Sequence, residues 1–462
     1  MAQLSGPRLW INKMTRRVSP IVTIIVGLVV MIVPGHASSA DVSPPAFGAH
    51  RWLRNPIIVS FSTSLNSPPT DVKEGSDVAG AVRRALQSWS RTGNIQFFET
   101  SSPAETISPT SEGDGINLIT VSPANASLFE GSDALARTRV FYDSGGAIIE
   151  ADIALNPSAP FSTDGTVGTY DLESTIAHEI GHFIGLEHSA VLGATMQPRQ
   201  ARNGVYGLPA VTERTLSADD AAKVRALYGP DAGTASISGR LTTNVLGRAR
   251  SVAGAHIYAE DIATGNVVAS SISSASGQYR VDGLPAGVYR VFAQPLDGAI
   301  AASEIGGVNG LQFSPLETSP PFRSFVASNS KPSQSVNVSS DANVRLSFFV
   351  FSRAPALAPR LIGINGELST APLPLRPGDA LTIFISGEGV EEVLLSGISI
   401  SSSSISIVPD SLRAASFPAP YPVIAFDVTV GDLIQPGDYT IRLQSANGEI
   451  AFLPGAITIE PK

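Results

Sequence analysis

The sequence predicts a multidomain chain: an α+β domain with a mixed twisted sheet, followed by two all-β sandwich domains. Three observations carry this reading. The chain has 462 residues, too many for one hydrophobic core. Helical and strand signals alternate up to about residue 230, and the helical ones then disappear. The remaining half consists of short strand-like runs broken by Gly-, Pro- and Ser-rich turns, which is the pattern of sandwiches. The expected divisions are a leader over residues 1–40, an α+β domain over 47–230, and sandwiches over 234–352 and 358–462.

Within the first domain, PIIVSFS (56–62), IQFFE (95–99), INLITV (116–121) and RVFYD (139–143) read as strands. IIEADIALN (148–156) alternates apolar and polar positions, as a half-buried strand does. VAGAVRRALQSWS (78–90) has helical spacing, with Val78, Val82, Leu86 and Trp89 on one face. A second helix runs from about Leu172 through Ile184, with Asp171 as its N-cap and Gly185 as its stop. A third occupies LSADDAAKVRALYG (216–229), where Ser217 and Asp220 form a capping box and Gly229-Pro230 ends the helix. In the second half, ASISGRLTT, AGAHIYAEDIATGNVVASS, GQYRVDGLPAGVYRVFAQP and SVNVSSDANVRLSFFVF read as strands, and RAPALAPR (353–360) as a linker. LTIFISGEG, GISISSSSISIVP, PVIAFDVTV, GDYTIRLQS and GAITIEP repeat the all-β character, the Ile alternation in the serine run marking an edge or face strand.

Composition narrows the chemistry. A chain that is 43% hydrophobic and 15% charged builds real cores. Its net charge of -9 argues against nucleic acid as a partner and against docking on anionic lipid. There is no cysteine, so disulfides, thiolate metal sites and cysteine nucleophiles are excluded together. Any metal must be held by His, Asp, Glu or backbone oxygen.

Near the N-terminus, Arg16 and Arg17 precede the apolar run IVTIIVGLVVMIV (21–33), which Pro20 and Pro34 bracket, and small residues lead to Ala40. This is the layout of a secretory signal peptide. It predicts a secreted, extracellular protein, with bacterial export suiting the lack of disulfides. A retained membrane anchor is the alternative, but the run falls short of the roughly 20 residues that span a bilayer. No second apolar run of spanning length follows.

Three of the six histidines, His178, His182 and His188, crowd into HEIGHFIGLEHS. Positions i and i+4 of a helix share a face, so His178 and His182 can grip one ion. Glu179 sits beside them, close enough to reach a water on that ion without having to ligate it. Gly185 allows the chain to leave the helix with positive φ, and His188 can then return as a third ligand. Three protein ligands plus a water is the composition of a catalytic zinc site. Neutral imidazoles favour zinc without excluding other first-row ions.

This stretch resembles the zinc-binding consensus of the metzincin metallopeptidases, and the matrixin branch in particular. Met196, in ATMQP, resembles the methionine of the family's turn beneath the metal. Ser189 after the last histidine, and Asp219 and Asp220 in the third helix, are similar to matrixin residues as well. The resemblance covers roughly residues 47–230. It implies a metzincin-type catalytic domain that hydrolyses protein or peptide substrates through a metal-activated water. His178, His182 and His188 would hold one zinc ion, and Glu179 would act as general base. Gly185, Met196 and Asp220 would support the site. IIEADIALN would be the edge strand on which an extended substrate lies, at Ile153 and Ala154, and Pro198 would wall the pocket just beyond the scissile bond. The chain departs from the family in lacking the cysteine that holds animal matrixins latent. It also has no histidine between His50 and His178 to hold a second, structural zinc. The Asp/Gly-rich YDSGGAIIEAD and FSTDGTVGTYD are open between Ca2+ loops and ordinary turns.

GQYRVDGLPAGVYRVFAQ resembles the transthyretin-like, carboxypeptidase regulatory-like β-sandwich, and the last domain resembles bacterial immunoglobulin-like modules. Neither carries a catalytic constellation, and His256 reads as a strand residue. These domains are either spacers or adhesion modules for a polymer or cell surface. A zinc endopeptidase is the leading reading of the whole chain. The alternative is a surface binding protein whose peptidase domain is vestigial.

Overall fold

The computed structural model describes residues 31–34, 50–109, 113–210, 212–229, 233–305, 308–309, 312–313, 321–326 and 335–461. The predicted leader lies outside them except for the backbone of Met31–Pro34.

The first unit is built on a mixed sheet. Its strands are β1 (Met31–Pro34), β2 (Arg51–Trp52), β3 (Ile57–Ser62), β4 (Phe97–Ser102), β5 (Leu118–Thr120), β6 (Ala136–Tyr142) and β7 (Ala147–Leu155). Their order is β1-β6-β7-β5-β3-β4, with β2 against the start of β7. Only β6 and β7 run antiparallel; β3, β4, β5 and β7 run parallel.

This order corrects one expectation. IIEADIALN is not an edge strand: β7 lies between β5 and β6, and Ile153 and Ala154 are fully buried. The alternation misled because its polar positions face inward. Asp152 accepts the Ser108 and Leu118 amides, each at 2.9 Å, and Glu150 accepts those of Asp114 and Gly115. Burial pushes the Asp152 carboxyl up to about 7, against the pull of those two amides. These acids anchor the crossing loop from inside, so a polar residue here does not mark a solvent face.

Three helices complete the unit: α1 (Val78–Thr92), α2 (Leu172–Phe183) and α3 (Ala218–Tyr228). The predicted face of α1 is buried, and Trp89 donates its indole N–H to Ala177 O at 2.9 Å, tying α1 to α2. Every residue of α2 is buried. Asp171 caps it through the Ser174 amide at 2.8 Å, and Arg214 grips the same carboxylate. The Ser217–Asp220 capping box opens α3.

The second unit packs two five-stranded sheets. Thr234–Val245 anchors one, beside Gln278–Pro285, and His256–Asp261 anchors the other, beside Gly287–Gln294. The third unit packs a five- and a four-stranded sheet around Ile383, Phe426, Ile441 and Ile457. Its serine run is two edge strands: Val393–Ile400 ends one sheet, and Ile405–Ile407 ends the other. Among the described residues no helix is long and apolar enough to cross a membrane.

The units share buried surface. Ala190, Leu192 and Tyr206 of the first belong to the same apolar cluster as Ile362, Leu373 and Ile457 of the third. Tyr206 donates its hydroxyl proton toward Ile362 O and Ala371 O, both at 3.0 Å. Gly193 faces Asp438 so closely that a Cβ there would sit 2.1 Å from Asp438 Oδ1. Burial, reinforced by the charges of Asp220, Glu460 and Asp219, pushes Asp438 up to about 7, against the Thr458 hydrogen bond.

A carboxyl raised on folding contributes stability below its unfolded pKa and loses it as pH rises through the folded value. Asp438→Asn keeps the Thr458 contact without the charge. Its urea midpoint should gain on that of the natural chain as pH is raised from 5 to 8. Parallel pH curves would refute the buried-proton reading.

Candidate metal centre

α2 sets His178 and His182 one turn apart, with their Nε2 atoms 3.0 Å from each other. The helix closes with the amides of Gly185 and Leu186 bonded to His182 O and Gly181 O, each at 2.9 Å. Gly185 has φ 96°, and a Cβ at this position would lie 2.0 Å from His50 O. Glycine is thus required both by conformation and by space. The turn returns His188, whose ring centroid lies 5.2 Å from that of His178 and 4.9 Å from that of His182. One ligand nitrogen from each ring falls within 4.8 Å of the others.

Hydrogen bonds decide which nitrogen is free. His178 Nδ1 meets Thr195 O at 2.8 Å, His182 Nδ1 meets Leu186 O at 2.8 Å, and His188 Nδ1 meets Glu304 O at 2.7 Å. A carbonyl only accepts, so each Nδ1 carries the proton and each Nε2 presents a lone pair. Burial pushes His178 down to about 3 and His188 to about 4, so protons do not settle between the rings. His188 Nε2 is shielded from solvent and has no hydrogen-bond partner. Lone pairs 3.0 Å apart in a dry site repel unless a cation lies between them. The donor set fits zinc: three neutral imidazoles and no thiolate.

The support below the triad is equally specific. Met196 is fully buried, and a Cβ on Gly181 would lie 2.1 Å from its Sδ. The Asp220 carboxylate accepts the amides of Thr195 at 2.7 Å and Met196 at 3.2 Å. Since Thr195 O holds His178, α3 is linked to a ligand through one peptide. Ser189 N donates to Met196 O at 2.7 Å, and Ser189 Oγ to Asp219 Oδ2 at 2.5 Å.

Glu179 is fully buried on α2. Its Oε2 accepts from Thr138 Oγ1 on β6, and its Oε1 has no partner. Burial pushes this carboxyl up to about 8, against the Thr138 hydrogen bond. Sequence reasoning missed Thr138, Thr195, Arg199 and Glu304. A threonine flanked by arginines in ARTRVFY carries no periodic signal, and Glu304 lies 116 residues from the histidine it holds.

The remaining expected residues are placed as follows. Pro198 is buried two residues past Met196, while the narrow cavity beside His178 is lined by Gln197, Arg199 and Gln200. Ile153 and Ala154 stand behind β6, Ile153 opposite Thr138 and Ala154 opposite Arg137. His50 bonds Gly146 O and stacks near Tyr142, and His256 is buried in the second unit. In the two Asp/Gly-rich loops, Asp143 accepts the amides of Gly145 and Ala147, and Asp164 meets Thr166 and Lys73, as turn residues do. Among the described residues, the triad is the one group of His, Asp or Glu side chains placed to hold a metal ion.

Fold and site together define an α+β domain whose central helix and the turn after it bring three histidines into place to hold a metal ion. Residues 51–229 match the family model described as Matrixin, and this part of the chain is similar to that family. The chain is similar to the hatching enzyme of Paracentrotus lividus, 30% identical over 214 residues, which is 44% of this chain and 30% of that protein. It is also similar to metalloendoproteinase 1 of Glycine max, 30% identical over 152 residues, 32% of this chain and 45% of that protein. The chain thus spans less than half the length of these curated relatives. A comparison with the major pilin subunit BcpA of Bacillus cereus covers 47% of this chain and 66% of that chain at 14% identity. Its TM-score of 0.16 is too low for the likeness to carry weight.

Gly181→Ala tests the packing under the metal. Alanine in a helix interior ordinarily gains roughly 0.5–1 kcal/mol over glycine. Here the new methyl meets Met196 Sδ, and overpacking costs about 1–3 kcal/mol. The urea midpoint is expected to fall; a rise would show that Met196 moves aside freely.

Proposed function

We propose that this chain is an exported zinc endopeptidase that hydrolyses peptide bonds with Glu179 as general base. The observation that carries the reading is the convergence of three Nε2 lone pairs beside a buried carboxylate whose Oε1 has no partner. A zinc ion held by His178, His182 and His188 supplies Lewis acidity toward a carbonyl and lowers the pKa of water.

The chain's own residues supply the rest. Glu179 Oε1 takes the proton of the attacking water and returns it to the leaving amine. Thr138 orients that carboxylate through Oε2, leaving Oε1 for the proton. Burial raises the basicity of Glu179, which suits a group that must accept a proton and then release it near neutral pH. The substrate lies extended along the outer edge of β6 by strand addition, which is the neighbour of β7 and not β7 itself. Met196 through Arg199, Pro198 included, bounds the pocket for the residue after the scissile bond. Cleavage after Ala40 removes Met31–Pro34 and frees the edge of β6 over Arg139–Tyr142, where those residues pair. The two sandwiches hold the peptidase at a polymer or cell surface.

The test pairs metal content with turnover. The purified chain is expected to hold about one zinc and to cut a peptide library in a chelator-sensitive way. Glu179→Ala should keep the zinc and lose about 10²–10⁴-fold in turnover. Zinc with no cleavage by the natural chain would favour a binding protein with a vestigial peptidase. Normal turnover by Glu179→Ala would remove Glu179 from the mechanism.

A further inference from the structure

The three ligands are not oriented in the same way. His178 and His182 are held by carbonyls of their own unit, Thr195 O and Leu186 O. His188, the ligand off the helix, is held by Glu304 O, in the short helix Ala302–Ile305 that follows the second unit's Gly287–Gln294 strand. Glu304 is itself fixed. Both its carboxylate oxygens meet Arg199, Nη2 reaching Oε2 at 2.6 Å, and Oε2 also accepts the Ala301 amide at 2.8 Å. Arg199 Nη1 donates to Ala299 O at 3.0 Å. The Glu304 side chain is 9% exposed and that of Arg199 25%, so the pair is largely desolvated. Ile305, Ile300 and Leu296 seat the segment in the apolar cluster that contains Ala190 and Leu192, just past His188.

We infer that residues 296–305 complete the metal centre from outside the matrixin-like domain, and that Glu304 and Arg199 are positioning residues for His188. The Arg199–Glu304 pair fixes the Glu304 peptide, and its carbonyl fixes the tautomer and rotation of the His188 ring. Without that acceptor, His188 Nδ1–H turns to water, and its Nε2 is no longer aimed at the point the other two share. Partners behind a metal-bound histidine typically contribute 10–100-fold in metal affinity. The inference rests on reading the triad as a zinc site.

The experiment uses the full chain. Zinc loss to a chelating dye is timed for the natural protein and for Glu304→Gln, Glu304→Ala and Arg199→Ala. Cobalt-substituted forms report ligand geometry through their visible spectra, and urea midpoints of the metal-free forms report folding. Loss is expected to be about ten-fold faster in Glu304→Ala and Arg199→Ala, with Glu304→Gln between these and the natural chain. The cobalt spectrum should change, and the metal-free midpoints, lowered in Glu304→Ala and Arg199→Ala by the loss of a desolvated partner, should still show folded protein under the assay conditions. Glu388→Gln, which breaks the remote Arg360–Glu388 pair, should leave both readouts unmoved. Natural rates and spectra in the Glu304 and Arg199 variants would overturn the positioning role and leave the zinc assignment standing. A natural chain that binds no zinc would overturn both.

Discussion

An imidazole with one nitrogen bonded to a carbonyl has only its other nitrogen to offer. That constraint, applied three times within a few ångströms, organises this molecule. Thr195, Leu186 and Glu304 supply the carbonyls, so each must be held as firmly as the rings. Thr195 is held by Asp220, which is held by the cap of α3. Leu186 depends on the turn that Gly185 permits. Glu304 depends on Arg199 and on a different unit of the chain. A site twelve residues wide in sequence therefore draws on segments from α3 to the sandwich beyond it.

The helix bearing the site is buried over its whole length, an uncommon setting for one with two histidines and two glutamates. Each polar group has a specific answer. Asp171 at the N-terminus both caps the helix and pairs with Arg214, and Glu173 meets Arg84. Removing one member of a buried pair costs about 3–5 kcal/mol, more than most apolar truncations on the surface. Glu179 keeps one oxygen without a partner, and the histidines keep three lone pairs facing one another. Unpartnered buried atoms occur elsewhere in the chain, but here they gather beside three imidazoles placed to share one ion.

What was legible in the sequence was local. The i, i+4 histidines, the glycine that reverses the chain, the methionine in a turn and the capping box all declare themselves over a few residues. The helix faces followed from period, and α1 matches its expected apolar positions one for one. What was illegible was pairing over distance. Polar residues in β7 were read as solvent-facing because their amide partners, at Ser108 and at the start of β5, lie 44 and 34 residues away. Thr138 is visible as a partner of Glu179 only once β6 is laid beside α2. The serine run gave two strands in two sheets because alternation reports a face and says nothing about which sheet the face belongs to.

The apolar cluster joining Ala190, Leu192 and Tyr206 to the last sandwich has a consequence for how such a chain can change over time. Multidomain proteins commonly diversify by exchanging whole modules at flexible joints, where few contacts cross. Here the joints in sequence are not joints in the core. A foreign sandwich brought in by recombination would have to match the hydroxyl of Tyr206, the flank of Gly193 and the apolar seat of Ile305 at once. Side chains along these seams are therefore constrained together, and a change in one unit calls for a matching one in its neighbour.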